Sequence, residues 1–202
     1  MLEECDLPYD IKWVDLSKGE QHQPDFLKIS PNGRMPAMID PEGPNGKPIA
    51  IFESGAILQY LGDKSGMFYP AERRARSEVE QWLYWQVGAL GPTGGQAAHF
   101  KNYKEDKIDY DIERFTDEVI RQFGVMNEHL ANRDYLAGDY SIADMASWPW
   151  IRGYKAYDID LTEFEHLRAW FKRVGARPAV QRAANIGKDE FKKIQQQAQA
   201  SI

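Results

Sequence analysis

Two short runs carry the residues best suited to chemistry. Arg34-Met35-Pro36-Ala37-Met38-Ile39-Asp40 reads as a strand entered through a proline, and Phe52-Glu53-Ser54-Gly55-Ala56-Ile57 as a strand end running into a helix. Pro36 lacks a backbone donor, so it belongs at the first residue or the edge of a strand. A cis Met35–Pro36 bond would turn the Met35 N–H and C=O outward, toward an incoming extended backbone. A trans bond would make Pro36 a plain strand opener, and propensity alone favours trans. Ser54 is a good N-cap, and the first N–H groups of the helix behind it attract a carboxylate. Glu53, just before that cap, is placed to accept a bond from an ammonium group. A small extended peptide with a free amino-acid end suits this pattern, although Glu-Ser before a helix is also an ordinary helix start.

Other reactive side chains are fewer. Cys5 is the single cysteine; it is either a reactive thiol or a packed small apolar side chain, the commoner state of free cysteine. Ser141-Ile142-Ala143-Asp144 fits an S-x-x-D capping box with Tyr140 as a hydrophobic staple, and a buried helix cap is favoured over a binding role. Trp148, Pro149, Trp150 and Tyr154 read as helix-packing core. Nothing points to a metal site.

These residues need elements to hold them, and the organisation changes near residue 70. Before it, Met1 to Leu7 looks like a helix end, and Tyr9, Ile11, Trp13, Val14 and Leu16 suggest a strand. A short helical turn follows Pro24. The strands Ala37–Ile39 and Pro48–Phe52 are joined by Gly43-Pro44-Asn45-Gly46, and the helix from Ser54 closes between Gly62 and Gly66. After Pro70 the pattern is helical throughout. Val79, Trp82, Leu83, Val87 and Leu90 share a buried face, and Gly91-Pro92 should kink or interrupt that helix. Ile112, Phe115, Val119, Phe123, Met126 and Leu130 mark a second long helix. Further helices fall near Glu163–Val174 and Pro178–Ala184, with a solvated Lys/Gln-rich tail from Lys188. At 202 residues and net charge −6, with basic residues scattered, the chain can bury a real core and is a poor fit to nucleic acid. The Lys101 to Lys107 stretch around Tyr103 reads as a solvated loop. No apolar run long enough to span a membrane is present, no signal peptide is visible, and one cysteine fits a reducing, cytoplasmic setting.

The stretches FLKISPNGRMPAMID, AIFESGAILQYL and YSIADMASWPW resemble the cytosolic glutathione transferases, in order and with appropriate separations. VDLSKGEQHQPDF, LYWQVGALGPTGGQAAHF and YDIERF narrow the likeness to the nu class of bacterial disulfide-bond reductases and their fungal nitrogen-regulator relatives. The resemblance runs from Met1 to about Pro178. It implies an α/β, thioredoxin-like glutathione-binding domain over residues 1–67, truncated at its first strand, then an all-helical domain over 73–187 and a tail over 188–202. It implies glutathione as co-substrate, no metal, and a homodimer. Met35 would pair main chain to main chain with the cysteinyl unit, with Arg34 beside it and Pro36 cis. Glu53 would hold the γ-glutamyl ammonium, Ser54 the adjacent carboxylate, and Gln21 the glycyl end. Arg114 matches an arginine that reaches toward the thiol side or a second glutathione; a surface or interdomain ion pair is the other reading. Gln96 and His99 would line that second site, His99 being equally suited to a hydrogen-bonded helix end.

In the family, the first strand and a sulfur-activating turn precede the segment that begins here at Met1. The resemblance therefore assigns no catalytic residue and leaves the Tyr9–Leu16 strand without its usual neighbour. Two functions follow: a glutathione transferase with glutathione-dependent disulfide reductase activity, or a non-catalytic glutathione-binding or regulatory protein. The disulfide or electrophile it would act on is not encoded in these motifs.

Overall fold

The computed structural model describes residues 1–188. Residues 1–7 form turns rather than a helix end, with the Cys5 N–H donating to Met1 O at 3.0 Å. The expected strand at Tyr9–Leu16 does not form. The segment is irregular until a 3-10 turn at Leu16–Lys18, which Asp15 caps by accepting from the Ser17 N–H. A strand is held by its ladder, and no other strand lies alongside this one among the described residues. Its apolar side chains stay in part outside, Trp13 at 52% exposure. The Trp13 ring rests against the backbone of Gly187, where an added Cβ would lie 2.3 Å from it.

A second 3-10 turn at Glu20–His22 leads into the short helix α1, Pro24–Leu27, opened by its proline. Strands β1, Ala37–Asp40, and β2, Ile49–Phe52, then pair antiparallel with Ala37 opposite Phe52 and Asp40 opposite Ile49. Their connection is the expected Gly-Pro-Asn-Gly turn, with Asn45 and Gly46 both at positive φ. Helix α2, Ser54–Ser65, stops at Gly66 in the left-handed conformation, as that residue type permits.

Helix α3, Arg73–Trp85, buries Val79 and Leu83 and runs into a π-helical turn at Gln86–Leu90, followed by α4, Gly91–Ala98. The interruption expected at Gly91-Pro92 thus takes the form of a widened turn upstream. Pro92 has no N–H to give, and the Gly91 N–H reaches back to Gln86 O. Pro92 itself falls at the start of α4, directly after the widened turn that accommodates its missing donor. A further π-turn at His99–Tyr103 precedes α5, Asp109–His129. Part of the expected Lys101–Lys107 loop is therefore helical, and Lys101 is held by Asp158 at 2.8 Å and by Tyr157 O at 3.0 Å.

The core of this half is formed by α3, α5, α6 (Ile142–Arg152) and α7 (Glu165–Gly175), around Leu83, Phe123, Met126, Ile151, Leu167 and Trp170. The capping box at the start of α6 is present. The buried Asp144 carboxylate accepts from the Ser141 and Leu136 N–H groups, both at 3.0 Å, and from Trp170 Nε1 at 2.7 Å. Burial raises its carboxyl pKa, and these donors pull the other way. Trp148 stacks on Phe171, while Trp150 covers Gly91 and Gly94, so the tryptophan cluster is packing core as read from the sequence. The last described helix is α8, Pro178–Asn185. Apart from Lys188 itself, the expected tail lies outside the described residues.

The two halves meet at defined contacts. Ile142 N–H donates to Phe68 O at 3.0 Å. Arg177 holds the Glu4 carboxylate with two bonds of 2.7 and 2.9 Å while lying 3.8 Å over the Tyr140 ring. Gly62 of α2 faces Tyr69, and a Cβ there would lie 2.5 Å from Tyr69 Cβ. Tyr69 cannot yield easily, since Gln59 and Glu80 hold its hydroxyl and Arg76 covers its ring. Gly62→Ala should therefore cost about 1–3 kcal/mol, the usual scale of overpacking. Urea unfolding of the variant checks this, and an unchanged midpoint would show that α2 can shift.

Candidate functional site

The hairpin register builds the site. Continued by one and two residues, it sets Pro36 opposite Glu53 and Met35 opposite Ser54. The two runs that the sequence singled out thus meet at one end of the sheet. The Met35–Pro36 bond is cis. Met35 is 43% exposed, and neither its N–H nor its C=O has a hydrogen-bond partner among the described residues.

Across from it, α2 begins one position away from the expected cap. Glu53 O accepts the first helical bond, from the Ile57 N–H at 3.0 Å, so Glu53 is the N-cap and Ser54 the first helical residue. No side chain caps this end. Ser54 is exposed, and the positive end of the helix faces outward. Glu53 has φ 70° and ψ 121°. A glutamate in that conformation stores about 1–3 kcal/mol of strain, the kind that marks binding and catalytic positions.

The rest of the neighbourhood is arranged by close approaches. Gly55, in the first turn of α2, packs on the helical half, and an added Cβ would lie 3.3 Å from Val87 Cγ1. Gly33, buried and at φ 62°, sits against the Gln21 backbone oxygen, 3.2 Å from where its Cβ would be. That contact brings Gln21 beside the Arg34-Met35 segment. The Gln21 Oε1 is enclosed without a partner. Arg34 is exposed, with no ion-pair partner among the described residues.

Arg114, Gln96 and His99 form a separate group. All three are exposed, on helices that pack together through Phe100 stacked on Phe115 and through Gln122 Nε2 donating to Thr93 Oγ1 at 3.1 Å. Arg114 makes no ion pair among the described residues, so the ion-pair reading gains no support. No hydrogen bond, ion pair or ring contact among the described residues joins this group to Met35 and Glu53. Two surface depressions, of about 390 and 310 Å³, share no lining residue with either group. Cys5 packs by its thiol against Ser65 Oγ at 3.5 Å, away from the hairpin end. The site is thus an open ledge offering backbone donors and acceptors, a helix N-terminus and one carboxylate. It suits an extended peptide with an amino-acid terminus.

Comparison with known proteins identifies the family. Residues 1–64 match the family model "Glutathione S-transferase, N-terminal domain", and residues 93–178 match "Glutathione S-transferase, C-terminal domain". The disulfide-bond oxidoreductase YfcG of Escherichia coli is 45% identical, over 90% of this chain and 86% of its own. The chain belongs to the glutathione S-transferase family. Its small antiparallel sheet followed by a helical half is the fold of that family. A Pseudomonas putida glutathione transferase solved with one glutathione disulfide per subunit superposes with TM-score 0.88 at 36% identity, covering 92% of this chain and 84% of that one. A Burkholderia graminis transferase solved with two glutathione molecules per subunit gives 0.87 at 37%, covering 93% and 81%.

In this family member the hairpin is fastened to α2 by Asp40. Its carboxylate accepts from Tyr60 Oη at 2.6 Å, from the Glu42 N–H at 2.9 Å and from Lys64 Nζ. Lys64 foremost, then Tyr60, hold the Asp40 pKa below the usual carboxylate range, and Asp40 raises Tyr60 to about 12. A carboxylate with a depressed folded-state pKa contributes stability that is complete above its unfolded value, about 3.9, and is lost as pH falls through the folded one. Asp40→Asn should therefore flatten the acid limb of the stability curve below about pH 4 relative to wild type. Denaturant midpoints measured across that range test it, and parallel curves would rule Asp40 out.

Proposed function

We propose that this chain binds glutathione on the ledge between Met35 and Ser54 and uses its thiol to reduce disulfides. The observation that carries the reading is the meeting of the unpartnered Met35 backbone with the uncapped α2 terminus at Glu53-Ser54. Met35 N–H and C=O pair with the cysteinyl unit as an added strand would. The γ-glutamyl carboxylate sits at the first turn of α2 beside Ser54, and its ammonium meets Glu53. Gln21, next to Gly33, serves the glycyl end, and Arg34 flanks the main chain. Gln96, His99 and Arg114 line the approach of a second glutathione, as the two-glutathione state of the Burkholderia graminis relative suggests by analogy.

The reaction needs only thiolate–disulfide exchange. A glutathione thiolate attacks one sulfur of the disulfide, forming a mixed disulfide and expelling the other sulfur as a thiolate. A second glutathione thiolate attacks the glutathionyl sulfur of that mixed disulfide. Glutathione disulfide and the second thiol leave, and the electron pair has passed from two thiols to the substrate. The closeness to YfcG supports this chemistry. The same reading takes residues 1–67 as the glutathione-binding domain and 73–187 as the helical one. It places the protein in the nu class, as a homodimer in the cytoplasm.

Glu53→Ala removes a charge-assisted contact and should weaken glutathione binding by about 2 kcal/mol, some thirtyfold in Kd. Calorimetric titration measures it, and unchanged affinity would sink the placement. Turnover of a small disulfide with glutathione tests the chemistry in the same samples. Binding without turnover would make the chain a glutathione-binding protein.

A further inference from the structure

Ser30 is completely buried, on the short segment between α1 and the proline-led strand. Its hydroxyl donates to Arg34 O at 2.8 Å and accepts from the Arg34 N–H at 3.4 Å. Its own backbone is fixed as well. The Ser30 N–H donates to Phe26 O, and Ser30 O accepts from the Gly33 N–H, both at 2.9 Å. The loop from Ser30 to Arg34 is thus closed on itself from α1 onward, with Gly33 wedged against Gln21.

The acceptor matters because of what shares its peptide plane. Arg34 C=O and Met35 N–H belong to one planar unit, and that unit is trans, the cis bond being the next one. In a trans unit the C=O and N–H point in opposite directions. A hydroxyl that holds Arg34 O toward the interior therefore aims the Met35 N–H away from Ser30, out of the loop. That N–H has no partner among the described residues. No ladder bond orients it either, because the register starts at Ala37, and Pro36 has no donor to contribute.

We propose that Ser30 is a positioning residue for glutathione: it sets the Arg34–Met35 peptide plane so that the Met35 N–H is already directed at the ligand's cysteinyl carbonyl before binding. This rests on the reading that glutathione docks on Met35. It adds a buried hydroxyl, out of the ligand's reach, as the element that pre-orders the docking bond. Pre-ordering raises affinity by sparing the cost of fixing that peptide plane on binding. Removing the hydroxyl leaves Arg34 O without its partner and frees the plane to rotate.

The test uses Ser30→Ala and Ser30→Cys, the latter keeping nearly the same shape with only a weak donor. Both should raise the glutathione Kd about three- to tenfold, the scale of one net neutral hydrogen bond. A nitrogen–proton correlation spectrum supplies a readout that general loosening would not give. In wild type the Met35 amide resonance should be single and sharp, and should move downfield as glutathione is added. In both variants it should broaden, or lose most of that shift, while the Asp144-linked Leu136 and Ser141 amides stay in place. Variants that bind as wild type does would overturn the role of Ser30 and leave the docking site standing. A wild-type Met35 amide that is broad before glutathione is added would overturn the role of Ser30 alone, one that ignores bound glutathione would overturn both, and neither outcome needs a variant to fold. Loss of binding in Glu53→Ala with no effect at Ser30 would separate the two.

Discussion

The seating of α2 is the constraint on which the rest depends. Three of its residues fix it in place: Gly55 against Val87, Gly62 against Tyr69, and Lys64 on Asp40. Gly62 lets its axis approach Tyr69 more closely than a side chain would allow, and Gly55 makes a tight contact with Val87 on the helical half. Lys64, with Tyr60, draws the β-hairpin onto it. Together they fix where α2 begins, and so where its unpaired N–H groups point. A two-stranded sheet is marginal alone. Here the hairpin takes its rigidity from the helix it serves.

That arrangement explains why so much of the ledge is backbone. Met35 offers main-chain groups, α2 offers its terminus, and Glu53 and Ser54 follow from the way strand becomes helix. Peptide recognition by main chain requires exact placement of atoms the sequence does not vary, so the specific residues act one step back. Gly33 lets the loop lie against Gln21, Ser30 holds Arg34 O, and Asp40 holds the strand. The strain at Glu53 fits the same logic. A helix cap in ordinary conformation would turn β2 into α2 along another path, and the packing of α2 outweighs the local cost.

Much of this was legible in the chain. The β-hairpin, the Gly-Pro-Asn-Gly turn, the Gly66 stop, the Ser141–Asp144 box and the α5 stripe depend on local chemistry, and they formed where periodicity and turn residues placed them. The errors share a cause. The alternation of Tyr9, Ile11 and Trp13 records a preference for strand, but a strand exists only with a neighbour, and pairing is not a local property. Ser54 carries the better capping side chain, yet the packing of Gly55 and the turn at Glu53 set the helix start one residue earlier. Gly91-Pro92 announced an interruption without saying that a π-turn would absorb it. Ser30 drew no notice, because its bond to Arg34 O depends on how the loop from Ser30 to Arg34 closes. Its only signal is its position just upstream of Met35.

The helical half enters the site through the same helix. Val87, on the π-turn after α3, is the residue that Gly55 touches, so the irregular turn lies directly behind the first turn of α2. A regular α-helical path there would carry the register of α3 on into α4 and shift Val87. The π-turn lets α4 change register, so that Gly91 and Gly94 meet Trp150 while Val87 still meets Gly55. The Phe68–Ile142 bond and the Arg177–Glu4 pair close the remaining sides of the junction. Displacement of α2 would therefore disturb packing on both faces at once, and close-packed interiors resist such movement. The ledge gains its fixed geometry less from the sheet on which it is drawn than from the helices behind it.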